Sequence, residues 1–569
     1  MKFTSITIKN FRNFENISEL LLNNRNIFFG MNDVGKSNFL AAIRFVFDYS
    51  FRKNGFQQTD FYNLDSENKT IEIVVKLDIS EDNKFSNMLR AKAKGSVSSS
   101  TSEFYIKVNS VYNGDLKQHL CELRWGSEIE DLDLINPNNS FSDLDRLFDL
   151  VYIGSSIDIE ILFKKHFTTL VKKSKDDLED IKEAANTLKL KYKELQSVKS
   201  IEMALDTEYK KFAKNGFKLT LVPTDINIDP YKNIVPMLSK GEEFKDYPLS
   251  GDGQRKISAY ALTRLISLQT KNKIHLFLIE EPENHLHRTS LFKLSLSIFN
   301  EKEYPYLFVT THSSELLSEM DNVNLIRIFG NPVVAKSCFY KVPEDYVRLK
   351  NILNSNLASA LFYNKVLLVE GPSELILFDH LLKTKHPEYK SDGGIILPVN
   401  GTGFENYIRI LSTIGISVII KTDNDLRKKK DSNSFELLGL NRIKKILQIY
   451  QSMGIKTDLN IVFNEDIKAI DPNAVREEIY ANNFDNITTI GNELKIFMSK
   501  IDLENDLNEV ISAEMKNYLN TDNAVEYLQK NKMKNMAELV TFLQESDLTK
   551  IVEHSNFKCV KELINYEEV

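Results

Sequence analysis

The chain has few cysteines and no long apolar run. Only 3 cysteines occur among its 569 residues, and Cys121, Cys338 and Cys559 are far apart, with no Cys-x-x-Cys pair anywhere. This spacing excludes a disulfide framework and any cysteine-based zinc finger or zinc hook. No apolar stretch approaches the roughly 18 residues of a membrane span, and the N-terminus lacks the apolar stretch of a signal peptide. We therefore expect a cytoplasmic protein.

Charge of one sign is not dominant either. The net charge of -7 argues mildly against a protein that coats DNA by bulk electrostatics, although local basic runs can still bind phosphates. A content of 42% hydrophobic and 27% charged residues is ordinary for a globular protein. A chain of this length is expected to form about two to four domains.

Two apolar runs that end in carboxylates are the most informative feature. Residues 366–369 precede Glu370, and residues 418–422 precede Asp423 and Asp425. If both runs are strands of one parallel sheet, their carboxyl ends lie at the same edge, where ligands bind. Several carboxylates so close together cannot all stay ionised without a cation, and Mg²⁺ takes oxygen ligands. The pattern therefore predicts a metal site.

A phosphate-binding loop stands far upstream, in the sequence Gly-Met-Asn-Asp-Val-Gly-Lys-Ser at residues 30–37. A strand-like segment precedes it and a helical pattern follows, which is the context such a loop requires. Its glycines let backbone N–H groups face a phosphate, Lys36 adds a positive charge, and Ser37 offers a hydroxyl to Mg²⁺. The predicted ATP-binding residues of this loop are Asn32, Gly35, Lys36 and Ser37.

Three later motifs follow the loop in the order expected of a nucleotide-binding head. Ser250 and Gly251 precede a helix, and a glycine-rich helix N-terminus suits an anion. An apolar run ends in Glu280 and Glu281, where the first suits a metal-linked role and the second could polarise the attacking water. His312 follows another apolar run. Alone it would more often be structural or exposed, but its place after the other motifs favours γ-phosphate sensing.

Together these motifs resemble the ABC-type ATPase heads of the RecF and SMC families, and Glu370 with the Asp423-x-Asp425 pair resembles the Toprim fold. A head followed by Toprim is the arrangement of the OLD-family endonucleases, and the resemblance covers essentially the whole chain. It implies an α/β fold with a head at 1–345 and a Toprim nuclease domain with a helical C-terminal part at 346–569. A helical insert at 155–216 fits a dimerisation arm and a solvated insertion equally well.

The resemblance also assigns roles. The catalytic residues that it implies are Glu281, Glu370, Asp423, Asp425 and Lys532, with Lys530 a weaker choice than Lys532. The metal ligands that it implies are Ser37, Glu370, Glu374, Asp423, Asp425, Asp502 and Glu504. From the sequence alone, Asp502 and Glu504 fit the acidic start of a helix equally well. Residues 427–430 fit a solvated loop or a DNA-backbone contact.

The function implied by the resemblance is Mg²⁺-dependent cleavage of double-stranded DNA, with Mn²⁺ as a possible substitute, under control of ATP with Mg²⁺ at the head. It further implies a homo-oligomer, a tetramer built through heads and arms, and a UvrD-like helicase partner, GajB, in the Gabija type of anti-phage defence. Two alternatives stay open. One is a stand-alone OLD nuclease in DNA repair, and the other is an ATP-switched DNA-binding protein with an inactive Toprim domain.

Overall fold

The computed structural model describes most of the chain, with gaps. The described residues are 1–66, 69–93, 101–136, 140–155, 162–163, 183–184, 186–188, 191, 194–212, 221, 237–240, 245–248, 251–269, 273–330, 333–342, 350–400, 403–429, 434–455 and 459–564. The chain forms two compact units: Met1–Tyr152 with Ile274–Glu283 and Arg288–Val569, and Ile153–Lys273 with Asn284–His287.

Both units contain strands and helices. The strands are β1 (Lys2–Phe11), β2 (Phe14–Leu21), β3 (Arg25–Phe29), β4 (Glu72–Asp78), β5 (Glu103–Asn113), β6 (Gln118–Glu128), β7 (Asp131–Leu134), β8 (Phe148–Ile153), β9 (Met237–Lys240), β10 (Lys245–Pro248), β11 (Ile274–Glu280), β12 (Leu307–Thr310), β13 (Val323–Phe329), β14 (Val334–Tyr340), β15 (Lys365–Val369), β16 (Gly394–Pro398), β17 (Ser417–Thr422), β18 (Leu426–Lys428), β19 (Phe435–Leu437) and β20 (Ile496–Met498).

The helices of the first half are α1 (Lys36–Phe47), α2 (Tyr49–Arg52), α3 (Lys84–Lys92), α4 (Asp143–Leu147), α5 (Gln196–Phe212), α6 (Asp252–Gln269), α7 (Arg288–Ile298) and α8 (Ser314–Leu317). Those of the second half are α9 (Lys350–Ala360), α10 (Pro372–Lys385), α11 (Glu405–Thr413), α12 (Leu438–Ser452), α13 (Pro472–Asn482), α14 (Phe484–Leu494), α15 (Leu503–Leu519), α16 (Ala524–Lys530), α17 (Lys532–Phe542), α18 (Glu545–Glu553) and α19 (Lys558–Ile564). Short 3-10 turns occur at Gln58–Asp60, Tyr62–Leu64 and Ser555–Phe557.

Two sheets build the N-terminal part of the first unit. One is antiparallel, in the order β2-β1-β4-β5-β6-β7, and the other has the order β14-β13-β3-β12-β11-β8. In the second sheet β3 pairs in parallel with β12 and β13, and β12 pairs in parallel with β11. Every residue of β3 is buried, as expected for a parallel strand with both faces covered. The carboxyl ends of β3, β11 and β12 therefore lie side by side.

A third sheet, in the order β16-β15-β17-β20, is parallel throughout. Alternate residues of β15 enter two different cores, because successive side chains of a strand point to opposite faces. Val366 and Leu368 belong to a core that also contains Ile27 of β3, whereas Leu367 and Val369 pack with residues of α10, α15 and α17. The third sheet and the sheet of β3 thus share one apolar core.

The second unit contains α5, β9, β10 and α6 among the described residues. Ala259, Leu262 and Ile266 of α6 are buried together, and Leu162 and Phe163 pack against them. Much of the insert expected at 155–216 lies outside the described residues, although α5 falls within it. Ser250, expected at a nucleotide site, also lies outside them, and Gly251 is exposed just before α6.

Candidate functional site

The loop between β3 and α1 is shaped by two glycines. Gly30 and Gly35 have φ values of 153° and 100°, which side chains other than glycine adopt only with strain. A Cβ on Gly30 would lie 2.4 Å from the carbonyl oxygen of Ile328, and one on Gly35 would lie 2.1 Å from Nδ2 of Asn13. Both positions therefore need glycine for conformation, and Gly30 needs it also for space because its close neighbour is backbone.

Lys36 is the first residue of α1 and is buried. Its Nζ donates hydrogen bonds to the carbonyl oxygens of Gly30 at 3.1 Å and Met31 at 2.8 Å. Burial lowers the pKa of Lys36, and the carboxylates of Glu281 and Glu283 oppose that shift. The lysine is thus held across the loop, beside a helix N-terminus that favours anions. Ser37 and Asn32 are exposed at the same loop.

Two acids that follow β11, Glu281 and Glu283, contact the histidine that follows β12, whereas Glu280 ends β11 itself. Glu280 is buried and accepts a hydrogen bond from the Tyr152 hydroxyl at 2.6 Å. Nδ1 of His312 lies 3.6 Å from Glu281 and 3.4 Å from Glu283. Glu283 also accepts a hydrogen bond from the backbone N–H of His312 at 2.9 Å. The structure therefore brings the predicted residues Glu281 and His312 together and adds Glu283, which fixes the histidine loop.

At the third sheet, the predicted acids follow two neighbouring strands. β15 pairs in parallel with β17, with Leu368 opposite Ile420, so Glu370 and Asp423 emerge at one edge. Oε1 of Glu370 accepts a hydrogen bond from the Thr422 hydroxyl at 2.6 Å and from the backbone N–H of Asp423 at 2.8 Å. Glu370 is thereby fixed against the end of β17, next to the acid that it was predicted to join.

Three acids of this site are buried. Glu374 on α10, Asp423 and Glu504 on α15 are at most 7% exposed. Burial and the charges of Glu374 and Glu370 raise the pKa of Asp423 well above its ordinary value. Burial, with the charge of Glu370, also raises the pKa of Glu374, and burial raises that of Glu504. The three carboxylates therefore disfavour one another's charged forms.

Lys532, at the start of α17, is the cation beside these acids. Its Nζ lies 3.8 Å from Glu504. Burial lowers the pKa of Lys532, but the nearby carboxylates, Glu504 and Asp423 foremost, outweigh this and raise it. Lys530, the weaker choice, is exposed at the end of α16. One lysine cannot balance three buried acids when all three are ionised, so their charged forms need a further cation.

The acids at positions 502, 504 and 506, at the start of α15, have different roles. Asp502 caps α15, its Oδ1 accepting from the backbone N–H of Asn505 at 2.9 Å and its Oδ2 from Gln529 at 2.7 Å. This is the helix-start arrangement that the sequence left open for Asp502. Asp506 pairs with Lys421 at 2.8 Å, and both side chains are at most 2% exposed. Asp506 thus serves the fold, whereas Glu504 faces the site.

The residues present fit a divalent cation chemically. Both carboxylate oxygens of Glu504 are buried without a hydrogen-bond partner, and a buried carboxylate without a partner is costly unless a cation compensates it. All the predicted ligands offer oxygen, which Mg²⁺ prefers. Within the described ranges, however, no three His, Cys, Asp or Glu side chains are placed so that together they could hold one metal ion. The ligands are near one another but not closed into a coordination set.

Both halves of the chain contain a segment that matches a known protein family. Residues 2–333 match the RecF/RecN/SMC N terminal domain, and residues 361–425 match the TOPRIM domain of overcoming lysogenization defect (OLD) protein-like proteins. Endonuclease GajA of Bacillus cereus (strain VD045) is 38% identical over 580 residues, which covers 99% of this chain and 99% of that protein. This chain belongs to the OLD family, in the group of GajA.

The predicted fold class of this OLD-family chain is confirmed by the two domain matches, an ABC-type head followed by a Toprim domain. Among solved structures, the SMC head domain from Thermotoga maritima is 14% identical, covering 60% of this chain and 100% of that one, with a TM-score of 0.28. A Pyrococcus furiosus Smc head bound to the C-terminal domain of ScpA is 13% identical, covering 62% and 100%, with a TM-score of 0.34.

Sequence reasoning about this OLD-family chain missed one residue that touches the acidic site. Arg442, on α12, donates hydrogen bonds to Glu370, to Thr422 at 2.5 Å and to Asp425 at 3.0 Å. Nothing in its local sequence distinguishes it from the other basic residues of an amphipathic helix. Its only nearby signal is Gly439, one turn earlier on the same helix.

No helix within the described ranges is long and apolar enough to cross a membrane.

Proposed function

We propose that this OLD-family protein is a Mg²⁺-dependent endonuclease that nicks or cuts double-stranded DNA. The observation that carries the proposal is the group of buried acids, Glu374, Asp423 and Glu504, beside Glu370 at the carboxyl edge of a parallel sheet. The chain covers 99% of a relative named as an endonuclease, which supports the same activity. Buried carboxylates grouped at one edge stay ionised only when a cation compensates them, and divalent cations such as Mg²⁺ take oxygen ligands.

The residues that would hold Mg²⁺, or Mn²⁺ in its place, are Glu370, Glu374, Asp423, Asp425, Asp502 and Glu504. Two such ions would activate a water for attack on the phosphodiester and stabilise the leaving 3′ oxygen. Lys532, which lies beside Glu504, would neutralise charge that develops on the phosphate. Thr422 and the backbone N–H of Asp423 orient Glu370 by hydrogen bonds.

The head, which we place at 1–345 ahead of the nuclease domain at 346–569, would bind ATP with Mg²⁺ and control cutting. Lys36 and the glycine loop would hold the phosphates, and Ser37 would offer its hydroxyl to the ion. The remaining residues proposed for this site are Asn32, Gly35, Ser250, Gly251, Glu280, Glu281 and His312. The contacts of His312 with Glu281 and Glu283 support its role as the residue that senses the γ-phosphate.

The likeness to GajA supports a role in anti-phage defence. On that basis we infer a homo-oligomer, a tetramer, that works with double-stranded DNA and a UvrD-like helicase partner. A neighbouring helicase gene would support this role, and its absence would favour a stand-alone nuclease in DNA repair. Size-exclusion chromatography with light scattering tests the oligomer directly.

Plasmid cleavage tests the activity. Wild-type protein with Mg²⁺ should convert supercoiled plasmid to nicked or linear forms, and Asp423→Ala should lose this entirely. Asp522→Ala, which changes an exposed aspartate of the same domain, is the matched control. Full cleavage by Asp423→Ala would overturn the assignment of the acidic site. ATP-dependent DNA binding without cleavage by the wild type would instead favour the inactive-Toprim alternative.

The same assay with and without ATP tests the head. Lys36→Ala should cut DNA at a rate that ATP no longer changes, whereas Lys302→Ala, an exposed lysine of the first unit, should respond as the wild type does. An unchanged ATP response in Lys36→Ala would remove the phosphate loop from control of the nuclease.

A further inference from the structure

Arg442 is the one cation that directly contacts two of the proposed metal ligands in the described part of the site. Its Nη1 donates to Oε1 of Glu370 and to the Thr422 hydroxyl at 2.5 Å, and its Nη2 donates to Oδ2 of Asp425 at 3.0 Å. The guanidinium therefore joins the acid after β15 to the acid after β17. This is the position between two carboxylates that a bridging cation would otherwise fill.

The position of Arg442 is set by the backbone. Gly439, on the first turn of α12, packs so tightly against the Asp423–Asp425 loop that an added Cβ would lie 2.6 Å from the carbonyl oxygen of Asp423. Its N–H donates to the carbonyl oxygen of Asp425 at 3.0 Å. Residues three apart on a helix share a face, so this close approach of α12 directs Arg442 onto the acids. The contact is therefore built into the fold.

Stability of the fold does not explain this contact. The side chains of Arg442, Glu370 and Asp425 are 27%, 22% and 42% exposed, and ion pairs with such access to water contribute little to folding. A guanidinium also keeps its charge at every pH that a protein tolerates. It would therefore occupy these carboxylates permanently unless another cation displaced it.

We propose that Arg442 is a positioning residue that holds Glu370 and Asp425 before metal arrives and competes with the divalent ion for them. This inference rests on the proposed metal-dependent nuclease. The observations that carry it are the hydrogen bonds of Arg442 to Glu370, Thr422 and Asp425. Binding of the ion then requires the guanidinium to give up its contacts with both acids.

Mn²⁺ binding to the full-length protein, without DNA or nucleotide, tests the competition. Electron paramagnetic resonance of the free ion gives the dissociation constant, and Asp423→Ala identifies which binding belongs to the acidic site. Arg442→Gln should bind Mn²⁺ about tenfold more tightly than wild type, because one competing positive charge is gone. Arg442→Lys, which keeps the charge, should stay within about threefold of wild type. The control is Arg409→Gln, whose arginine pairs with Glu405 on α11.

Each outcome of this experiment either supports or overturns the proposed competition between Arg442 and the metal ion. If Arg442 only braced the fold, Arg442→Gln would lower the melting temperature and bind Mn²⁺ as weakly as wild type or more weakly, which would overturn the proposal. If wild type shows no Asp423-dependent binding, the appearance of binding in Arg442→Gln supports the competition, and its absence there removes both the competition and the metal site. Tighter Mn²⁺ binding should be accompanied by a lower half-saturating Mg²⁺ concentration for plasmid cleavage.

Discussion

The single residue that best reports on the acidic site is Glu504. Both of its carboxylate oxygens are buried without a hydrogen-bond partner, and burial raises its pKa above the ordinary 4.5. A group with a raised pKa in the folded state contributes most to stability at low pH, and that contribution is lost as the pH rises through the folded-state value. The metal-free protein should therefore be less stable at about pH 8 than at about pH 5 through this residue.

Glu504→Gln should remove part of that pH dependence. At about pH 8, without metal, the variant should melt a few degrees higher than wild type, because it removes a buried charge that has no hydrogen bond and that Lys532 approaches only to 3.8 Å. With Mg²⁺ the order should reverse, since the variant lacks a ligand. Differential scanning fluorimetry at both pH values, with and without Mg²⁺, checks this, and Glu388→Gln, at an exposed position, is the control. A variant less stable than wild type without metal would contradict the interpretation.

Lys421 and Asp506 form the buried ion pair behind the site. Their contact at 2.8 Å, with both side chains at most 2% exposed, joins β17 to α15, and Lys421 also donates to the carbonyl oxygen of Asn556 at 3.1 Å. Lys421→Met should cost about 3–5 kcal/mol in the free energy of unfolding, because it leaves a buried aspartate unpaired. The double variant Lys421→Met/Asp506→Leu should recover most of this loss in urea melts. A double variant as unstable as the single one would contradict a pairing role.

At the scale of single residues, the sequence predicted the site residues that come directly after a strand. Glu370 and Asp423 were predictable because apolar runs of strand length end at each of them. Arg442 was not predictable, because it lies 72 residues after Glu370 in the sequence and its contact with Glu370 depends on how α12 packs. The pairing of Asp506 with Lys421, 85 residues away, was hidden for the same reason. Tertiary contacts between helices and strand ends leave no local pattern.

At the scale of elements, irregular strands limit prediction. The buried residues of β2 are Phe14, Ile17 and Leu20, a spacing of three that does not match the alternation of a strand. The register between β1 and β2 shifts between Ile6 and Ile8, and such a bulge changes which residues face the core. The strands β15 and β17 were predicted to within a few residues because each contains an apolar run that is buried on both faces.

A substitution at Gly439 tests how closely α12 packs against the Asp423–Asp425 loop. Helix propensity alone would make Gly439→Ala stabilising by about 1 kcal/mol. We expect the opposite, a loss of stability and of cleavage, because the added Cβ would meet the carbonyl oxygen of Asp423 at 2.6 Å and Cα of Asn424 at 2.8 Å. Gly491→Ala on α14, where the nearest atom is a Phe497 carbon at 3.4 Å, should be tolerated. Thermal melts and plasmid cleavage check both variants, and an active, stable Gly439→Ala would refute the close contact.

At the scale of the whole first unit, a buried arginine connects the head sheet to the Toprim sheet. Arg327, on β13, donates to the carbonyl oxygen of Gly415 at 3.0 Å and to Oδ1 of Asn364 at 2.5 Å. Burial lowers its pKa to about 10, so it stays charged at neutral pH. Asn364 and Gly415 lie just before β15 and β17, the strands that end at Glu370 and Asp423.

The other side of β13 adjoins the nucleotide loop. β13 pairs in parallel with β3, with Arg327 opposite Phe29, and Gly30 then packs against the carbonyl oxygen of Ile328. Two neighbouring residues of β13, Arg327 and Ile328, thus contact both the glycine loop and the segments that precede β15 and β17. Rigid elements in direct contact are what coupling between two sites requires.

Arg327→Met should weaken this coupling. We expect cleavage that still depends on Asp423 but whose rate changes less with ATP than in wild type, and a loss of about 1–3 kcal/mol in stability from the unpaired acceptors. Arg124→Met is the control, because Arg124 on β6 pairs with Glu122 inside the head. The measurement is the ratio of cleavage rates with and without ATP, alongside ATP binding. A wild-type ratio in Arg327→Met would show that the signal from the head reaches the nuclease by another route.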